Sequence, residues 1–266
     1  GGLGAISATV PLRITLEFTD WRGVFLILSG LTVAAAGLLW LLYPEKEGTT
    51  GPVPLKDQLA GLKTVLTSRP FLAIAPLVMF SQSAQMAIQG LWAKPWLRDV
   101  AGLDESACAR QLMWMMAAMM AGFFFLGLLS ERLSRTRNIS PVVVGVVAMG
   151  FFIVLQLLMA LGWTAQPMLL MTSFSFFATA GILPYAGLSQ TFPKELSGRV
   201  STSLNLTVFL GAFLVQWGLG EIINLWPSGE TGYHPESYVA AFGSLAALQS
   251  FGLLWFFVLR KPLTNH

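Results

Sequence analysis

The sequence predicts an all-α fold, a polytopic bundle of transmembrane helices. Of its 266 residues, 55% are hydrophobic and only 11% are charged, whereas about a quarter of the residues in an average soluble domain are charged. The charges are gathered into short clusters between apolar runs that approach the roughly 20 residues an α-helix needs to cross hydrocarbon. No ten-residue stretch alternates in polarity as a strand of a membrane barrel would. We therefore expect helices that span a bilayer.

Seven complete membrane spans are predicted, and Glu221 is the only charged side chain within them. They cover residues 24–43, 71–92, 112–129, 141–163, 168–190, 204–225 and 239–259. Residues 1–16 are apolar and rich in small side chains, and we interpret them as an eighth helix that is truncated at its start. The chain opens Gly1-Gly2-Leu3-Gly4, without an initiator Met or a signal peptide. We therefore expect it to be part of a longer protein.

The longest connection, residues 44–70, predicts a linker between two membrane bundles. Leu55, Leu59, Leu62 and Leu66 are spaced by four, three and four residues, which places them on one face of a short amphipathic surface helix. A flexible linker is the alternative, and residues 48–54 are expected to be one. The predicted organisation is residues 1–43 as the last two helices of an N-terminal half, the linker 44–70, and residues 71–266 as a six-helix C-terminal half.

The distribution of basic residues predicts the orientation. Eleven Lys and Arg residues fall in the connections on one side and four on the other, and cytoplasmic loops are enriched in positive charge. We expect an integral protein of a bacterial inner membrane with its C-terminus in the cytoplasm. The eleven are Lys46, Lys56, Lys63, Arg69, Arg132, Arg135, Arg137, Lys194, Arg199, Arg260 and Lys261; the four are Arg22, Lys94, Arg98 and Arg110.

Several classes of activity lack their residues in this sequence. Cys108 is the single cysteine, and His234 and His266 are the only histidines, so no cysteine or histidine cluster for a metal is present. No phosphate-binding G-x-x-x-x-G-K-[ST] loop, H-E-x-x-H motif or nucleophile elbow occurs. We predict no catalytic residues, no metal, no cofactor and no nucleic-acid partner. For a chain that moves a solute, two modes of transport remain: coupling to a proton or ion gradient, and facilitated diffusion.

A charged segment at the end of the span 112–129 is the first candidate for function. It contains Gly127, Glu131, Arg132, Arg135 and Arg137, and we predict that it forms a cytoplasmic turn. The arginines can bind lipid phosphate and satisfy the positive-inside rule, while Glu131 can pair with an arginine or face a helix N-terminus. The alternative is a loop that only sets the topology.

This segment resembles the signature of the major facilitator superfamily, Gly-x-x-x-Asp-Arg-x-Gly-Arg-Arg or Lys, in the version between helices eight and nine. Glu131 stands where Asp is usual and Ser134 where Gly is usual. Trp21-Arg22-x-x-Phe25 resembles the outer connection between helices five and six of that family, and Phe192-Pro193, Gly198-Arg199 and Asn205 resemble the passage from helix ten to eleven. The resemblance implies helices five to twelve of a secondary transporter, with a cytoplasmic latch at Glu131 and Arg132.

Polar side chains within the spans are the candidates for a substrate cavity. Gln82, Gln85 and Gln89 share one face of the span 71–92, at spacings of three and four, and Asn205 is a further candidate. Hydrogen bonding to other helices is the equally weighted alternative. Glu221 is a candidate for proton or ion coupling, although near the helix end it could instead extend to water.

Two other residue types suggest features of the helices. Pro76 and Pro184 interrupt helical spans and are expected to permit kinks. Trp92, Trp96 and Trp163 fall at the outer ends of spans, where we expect them to anchor the helices at the membrane interface.

The predicted function is secondary active transport of a small solute by alternating access, coupled to a proton or ion gradient. A monomer in the bilayer is expected. Two alternatives are kept: a transporter-like sensor that binds a solute without moving it, and an integral-membrane enzyme, which would need His, Asp or Glu clustered at one membrane face. Solute uptake separates a transporter from a sensor.

Overall fold

The computed structural model describes residues 10–42, 54–227 and 232–259, and all of their regular elements are helices. Seven helices in this part of the chain are long and apolar enough to cross a membrane. They are Trp21–Leu42, Arg69–Asp99, Glu105–Arg137, Pro141–Ala160, Pro167–Ser189, Lys194–Ile223 and Pro235–Leu259. The all-α membrane fold is therefore confirmed, and each predicted span corresponds to one of these helices. Of the predicted eighth helix, only its end from Val10 is described.

The α-helices are numbered in chain order. They are α1 Val10–Phe18, α2 Trp21–Leu42, α3 Leu55–Leu66, α4 Arg69–Ala87, α5 Ala93–Asp99, α6 Glu105–Arg137, α7 Pro141–Ala160, α8 Pro167–Ala178, α9 Leu183–Ser189, α10 Ser197–Ile223 and α11 Pro235–Leu259. The chain divides into two compact units, Gly1–Leu55 and Lys56–His266. In the first unit, α2 buries none of its residues.

In the second unit, α4 is the central helix, and it packs against α10 and α11, while α6 packs against α8. Consecutive spans run in opposite directions, so the starts of α4, α7 and α10 meet the ends of α6, α9 and α11 at one end of the bundle. We call this the basic end, because it contains the described arginines Arg69, Arg132, Arg135, Arg137 and Arg199. Deeper in the bundle, Gln249 Nε2 donates to Gln156 Oε1 over 2.6 Å and joins α11 to α7.

Helix α6 extends well beyond the predicted span 112–129. It begins after Asp104, whose carboxylate accepts hydrogen bonds from the Ala107 backbone N–H (2.7 Å) and the Ser106 hydroxyl (2.8 Å), and these bonds lower the pKa of Asp104. It ends at Asn138, which adopts the left-handed conformation (φ 53°) typical of a helix C-terminus. The prediction of a turn at residues 127–137 is therefore wrong, since charged residues end the apolar span but not the helix.

The predicted span 71–92 is also longer in the structure, where it covers Arg69–Asp99. It continues from α4 through a π-helical segment, Ile88–Trp92, into α5. Trp96 was expected at the membrane interface, but its side chain is 0% exposed and its Nε1 donates to Met159 O over 3.1 Å. The anchor prediction is wrong for Trp96, because α5 turns this indole toward the end of α7. Trp163 is 37% exposed.

Pro76 lies within α4, and the helix continues across it. Proline has no backbone N–H, so the carbonyl of Leu72, four residues earlier, lacks its helical donor. Trp255 Nε1 of α11 donates to that oxygen over 2.9 Å. A side chain from a neighbouring helix thus satisfies the carbonyl that the proline leaves open.

Before Pro184 the hydrogen-bonding pattern of the helix does change. The segment Thr179–Ile182 between α8 and α9 is a 3₁₀-helix, and Leu183 N donates to Ala180 O, the carbonyl that an ordinary residue at 184 would have used. The predicted interruption at Pro184 is confirmed, and tighter i→i+3 bonding is how the backbone accommodates it.

Helix α3 confirms the short helix expected within the linker, while residues 43–53 lie outside the described part. Three leucines of its stripe are exposed: Leu59 is 55%, Leu62 38% and Leu66 39% exposed. Val65 is instead fully buried in the core at the basic end, and the Arg199 guanidinium lies against Gly61. Val65 thus packs α3 against the core at the basic end, whereas the leucine stripe is exposed.

Candidate functional site

Residues 81–89, from the last turns of α4 into the π-helical segment, are buried on most of their circumference and partly exposed along one stripe. The residues left partly or fully exposed there are Gln82, Gln85, Met86 and Gln89, whereas Ser81, Ser83, Ala84, Ala87 and Ile88 are buried. Exposed side chains on other spans of this unit are mainly large and apolar, such as Phe124 on α6 and Phe213 on α10. The three predicted glutamines therefore do share one face, and that face is partly exposed.

The amides of this stripe are incompletely hydrogen-bonded. Gln85 Nε2 lies 3.6 Å from Met119 Sδ, and Gln89 Nε2 lies 3.5 Å from the same sulfur, which is a weak acceptor. The Oε1 atoms of Gln82 and Gln89 are buried and have no hydrogen-bond partner in the described chain. Burying a polar group without a partner is costly. Water or a polar ligand would supply the missing hydrogen bonds.

Two irregular backbone segments meet the amide stripe. Gln89 lies inside the π-helical segment Ile88–Trp92. Gln82 packs against the 3₁₀ segment, since a Cβ placed on Gly181 would come within 2.6 Å of Gln82 Oε1. Single π-turns occur frequently at functional sites, and interrupted helices commonly form the binding sites of transporters. Pro184 and Gly181 signal the 3₁₀ break in the sequence, whereas no local signal predicted the π-turn.

The fourth cavity candidate, Asn205, lies on α10 and is exposed. Its Oδ1 accepts a hydrogen bond from the Tyr185 hydroxyl of α9 over 3.1 Å. Tyr185 was not predicted as a site residue, and it connects Asn205 to the helix that follows the 3₁₀ break. No hydrogen bond in the described chain joins Asn205 to the three glutamines.

Glu221 is exposed and lies two residues before the end of α10 at Ile223, at the end of the bundle opposite the basic end. No ion pair of the described residues joins it to another candidate residue. Its exposure is compatible with the alternative of a side chain that extends to water.

The candidate latch residues lie on the last turns of α6. Arg135 Nη2 pairs with Glu131 Oε1 at 2.6 Å, one helical turn away, and both side chains are largely exposed. Arg132 and Arg137 line a shallow groove with Leu133, and neither forms an ion pair within the described residues. Gly127 is half-buried on the same helix.

A buried carboxylate at the other end of the bundle was missed by sequence reasoning. The Asp99 side chain is 5% exposed and accepts hydrogen bonds from Tyr238 Oη (2.7 Å), the Tyr233 backbone N–H (3.0 Å) and Arg98 Nε (2.6 Å). The bonds from Tyr233 and Tyr238 join the end of α5 to the start of α11. In the sequence Asp99 is one charge in a short connection, and nothing local indicates its distant partners.

Among the described residues, no group of three or more His, Cys, Asp or Glu side chains could hold a metal ion. The candidate residues therefore present amides, hydroxyls and the exposed guanidinium groups of Arg132 and Arg137. Such groups can bind and orient a solute or an anion.

Comparison with known proteins adds one finding. A family model described as Major Facilitator Superfamily matches residues 1–216, most of the chain, including the amide stripe, the latch residues and Asn205. A search of curated proteins found no match. The family consists of membrane transporters, and the match agrees with the seven apolar helices. The chain therefore belongs to the Major Facilitator Superfamily and is an integral membrane transporter protein.

Proposed function

We propose that the chain moves a small polar solute by alternating access, driven by a proton or ion gradient, and that the amide stripe of Gln82, Gln85 and Gln89 lines its half of the solute cavity. The basic end is proposed to face the cytoplasm, since positive charge accumulates on that side of membrane proteins. Glu131 and Arg132 would close this end during the cycle. Glu221 is the candidate for coupling.

The observation that supports the cavity most is the hydrogen-bonding state of the stripe. Gln82 Oε1 and Gln89 Oε1 are buried without partners in the described chain, although a span in contact with lipid alone would need every polar group satisfied internally. Neutral amides offer both donors and acceptors and bring no net charge. A polar solute that enters from water would complete these bonds.

A cysteine scan tests this assignment. Gln82→Cys, Gln85→Cys and Gln89→Cys would be made in a Cys108→Ala background, because Cys108 is the single native thiol and is buried. Each is expected to react with a membrane-impermeant thiol reagent in proteoliposomes, and substrate should slow the reaction. If all three stay unreactive in folded protein, the stripe does not line a cavity.

Val154→Cys is the matched control. This residue of α7 is 55% exposed on an apolar surface, so it should face lipid and react slowly whether or not substrate is present. Equal reaction at Val154 and at the glutamines would mean that reactivity reports general exposure rather than an aqueous cavity.

Counterflow in proteoliposomes of the full-length parent tests the activity. Pooled sugars, organic acids, amino acids and drugs would be screened with and without a pH gradient. Saturable exchange of one pool is expected, and acceleration by the gradient would support proton coupling. Solute binding without any exchange would instead support a sensor.

A further inference from the structure

A second polar feature lies at the basic end, away from the amide stripe. A cavity of about 390 Å³ is formed by the starts of α4 and α7 and the ends of α9 and α11. Its deepest residue on α4 is Ile74, eight residues (82 − 74) before Gln82, or about 12 Å along a helix axis. Its volume falls within the range of about 300–1,000 Å³ typical of ligand pockets.

The inner walls of this cavity are apolar. Ala73 and Ile74 of α4, Val142 of α7 and Phe256 of α11 line it, and all four side chains are buried in the protein. Val143, at the start of α7, also lines it and is 37% exposed. An apolar chain could therefore lie against one wall and continue outward past Val143.

The mouth of the cavity holds a fixed positive charge. Arg69 Nε donates to the carbonyl of Leu259 over 2.9 Å, and this carbonyl lies at the end of α11, where intrahelical donors are absent. The bond holds the guanidinium at the mouth while its two terminal amino groups remain available to an anion. No carboxylate of the described chain pairs with Arg69.

Ser140 supplies a second donor beside Arg69. Its Oγ accepts a hydrogen bond from Val142 N over 3.3 Å as the N-cap of α7, so the hydroxyl hydrogen is free to donate outward. The first turn of α7 adds the partial positive charge of a helix N-terminus. The charge at the mouth therefore suits an anion.

The position of the cavity decides between a free anion and an amphiphile. Its polar mouth lies at the basic end, where two spans begin and two end. Its apolar walls extend from there toward the middle of the spans. A free phosphate would use only the mouth and leave the apolar space unfilled. Basic pockets between transmembrane helices on the cytoplasmic side bind anionic lipid headgroups. We propose that this cavity binds an anionic glycerophospholipid, with its phosphate at Arg69 and Ser140 and one acyl chain against Ile74 and Phe256.

Native mass spectrometry of the delipidated full-length protein tests the site. The protein would be titrated with phosphatidylglycerol or with phosphatidylcholine of the same acyl chains. One molecule of phosphatidylglycerol is expected to bind in preference to phosphatidylcholine. Arg69→Gln should weaken binding of phosphatidylglycerol about fivefold, the factor expected for one basic side chain near an anionic lipid.

Further variants separate the headgroup from the tail. Ala73→Leu would fill the space beside the apolar wall and should weaken binding of both lipids. Because it leaves Arg69 unchanged, it tests the site even where Arg69→Gln disturbs folding. Arg110→Gln, at the opposite end of the bundle, is the charge-matched control and should bind as the native protein does. Thermal unfolding without lipid would identify any variant that is not folded.

Three results would overturn the proposal. Unchanged binding of phosphatidylglycerol to folded Ala73→Leu would exclude the apolar wall, and equal binding of the two lipids to the native protein would exclude recognition of the headgroup charge. Competition by millimolar inorganic phosphate would show that the mouth is a site for a free anion. None of these results depends on transport, so the proposed function could fail or hold independently.

Discussion

Single residues in this protein act through backbone groups of neighbouring helices. Trp255 supplies the donor that Pro76 cannot, since its Nε1 donates to Leu72 O over 2.9 Å. Trp96 Nε1 donates to Met159 O, which also accepts from the Gly162 backbone N–H. Within a bilayer no water is present to satisfy a free carbonyl. An indole that lies beside such a carbonyl therefore has a structural role that its residue type alone does not reveal.

Trp255→Phe should lower the free energy of unfolding by roughly 0.5–1.5 kcal/mol, the net contribution of one hydrogen bond. In a Pro76→Ala background the same change should cost much less, because the N–H of the new alanine can bond to Leu72 O. Unfolding of all four proteins in the same detergent completes a double-mutant cycle. Equal costs in both backgrounds would show that Trp255 stabilises through packing alone.

At the scale of the helix, close approach between α6 and α8 depends on one of two glycines on α6. A Cβ on Gly122 would fall against the backbone oxygen of Phe176 and 2.6 Å from Thr179 Oγ1, whereas a Cβ on Gly127 would meet nothing within 4 Å. The spacing of small residues predicts helix contact in a membrane. It does not show which glycine makes the contact.

Gly122→Ala should destabilise the protein by about 1–3 kcal/mol through overpacking. Gly127→Ala, on the same helix, should be neutral or stabilise it by up to about 1 kcal/mol, since alanine favours a helix more than glycine does. Unfolding midpoints in detergent would compare the two variants. A larger loss for Gly127→Ala would contradict the packing of α6 on α8.

The irregular segments are the other feature at this scale. The π-turn at Ile88–Trp92 and the 3₁₀ turn at Thr179–Ile182 both adjoin the amide stripe. Helix α4, which contains Pro76, is α-helical throughout. The two prolines are accommodated differently. A local backbone N–H bonds to the carbonyl that Pro184 leaves open, whereas a side chain of α11 bonds to the carbonyl that Pro76 leaves open.

At the scale of the whole molecule, two ends of the bundle are built differently. At one end, Asp99 of α5 accepts hydrogen bonds from Tyr238 of α11 and from the backbone N–H of Tyr233 just before that helix. At the basic end, Arg132 and Arg137 are exposed without ion pairs in the described part of the chain. An unpaired arginine is available to a partner that forms in only one conformation of a transport cycle.

Arg132→Ala should therefore reduce the rate of transport at normal surface expression, if Arg132 belongs to a cytoplasmic latch. Arg110→Ala is the matched control, because it removes an exposed arginine near the start of the same helix, outside the candidate latch. Initial rates of solute exchange, normalised to protein in the membrane, provide the measurement. Transport by Arg132→Ala at the native rate would limit its role to topology.

Local composition was sufficient to predict the membrane class, the seven spans, the α3 helix and the family, because hydropathy and motif spacing are properties of consecutive residues. Tertiary structure decided that Trp96 is buried, that Val65 docks α3, that Asp99 joins distant helices and that the charged end of α6 is helical. It also left the amides of Gln82 and Gln89 without complete partners. These outcomes depend on which helices become neighbours in the bundle, and the hydrophobic periodicity of a single helix does not contain that information.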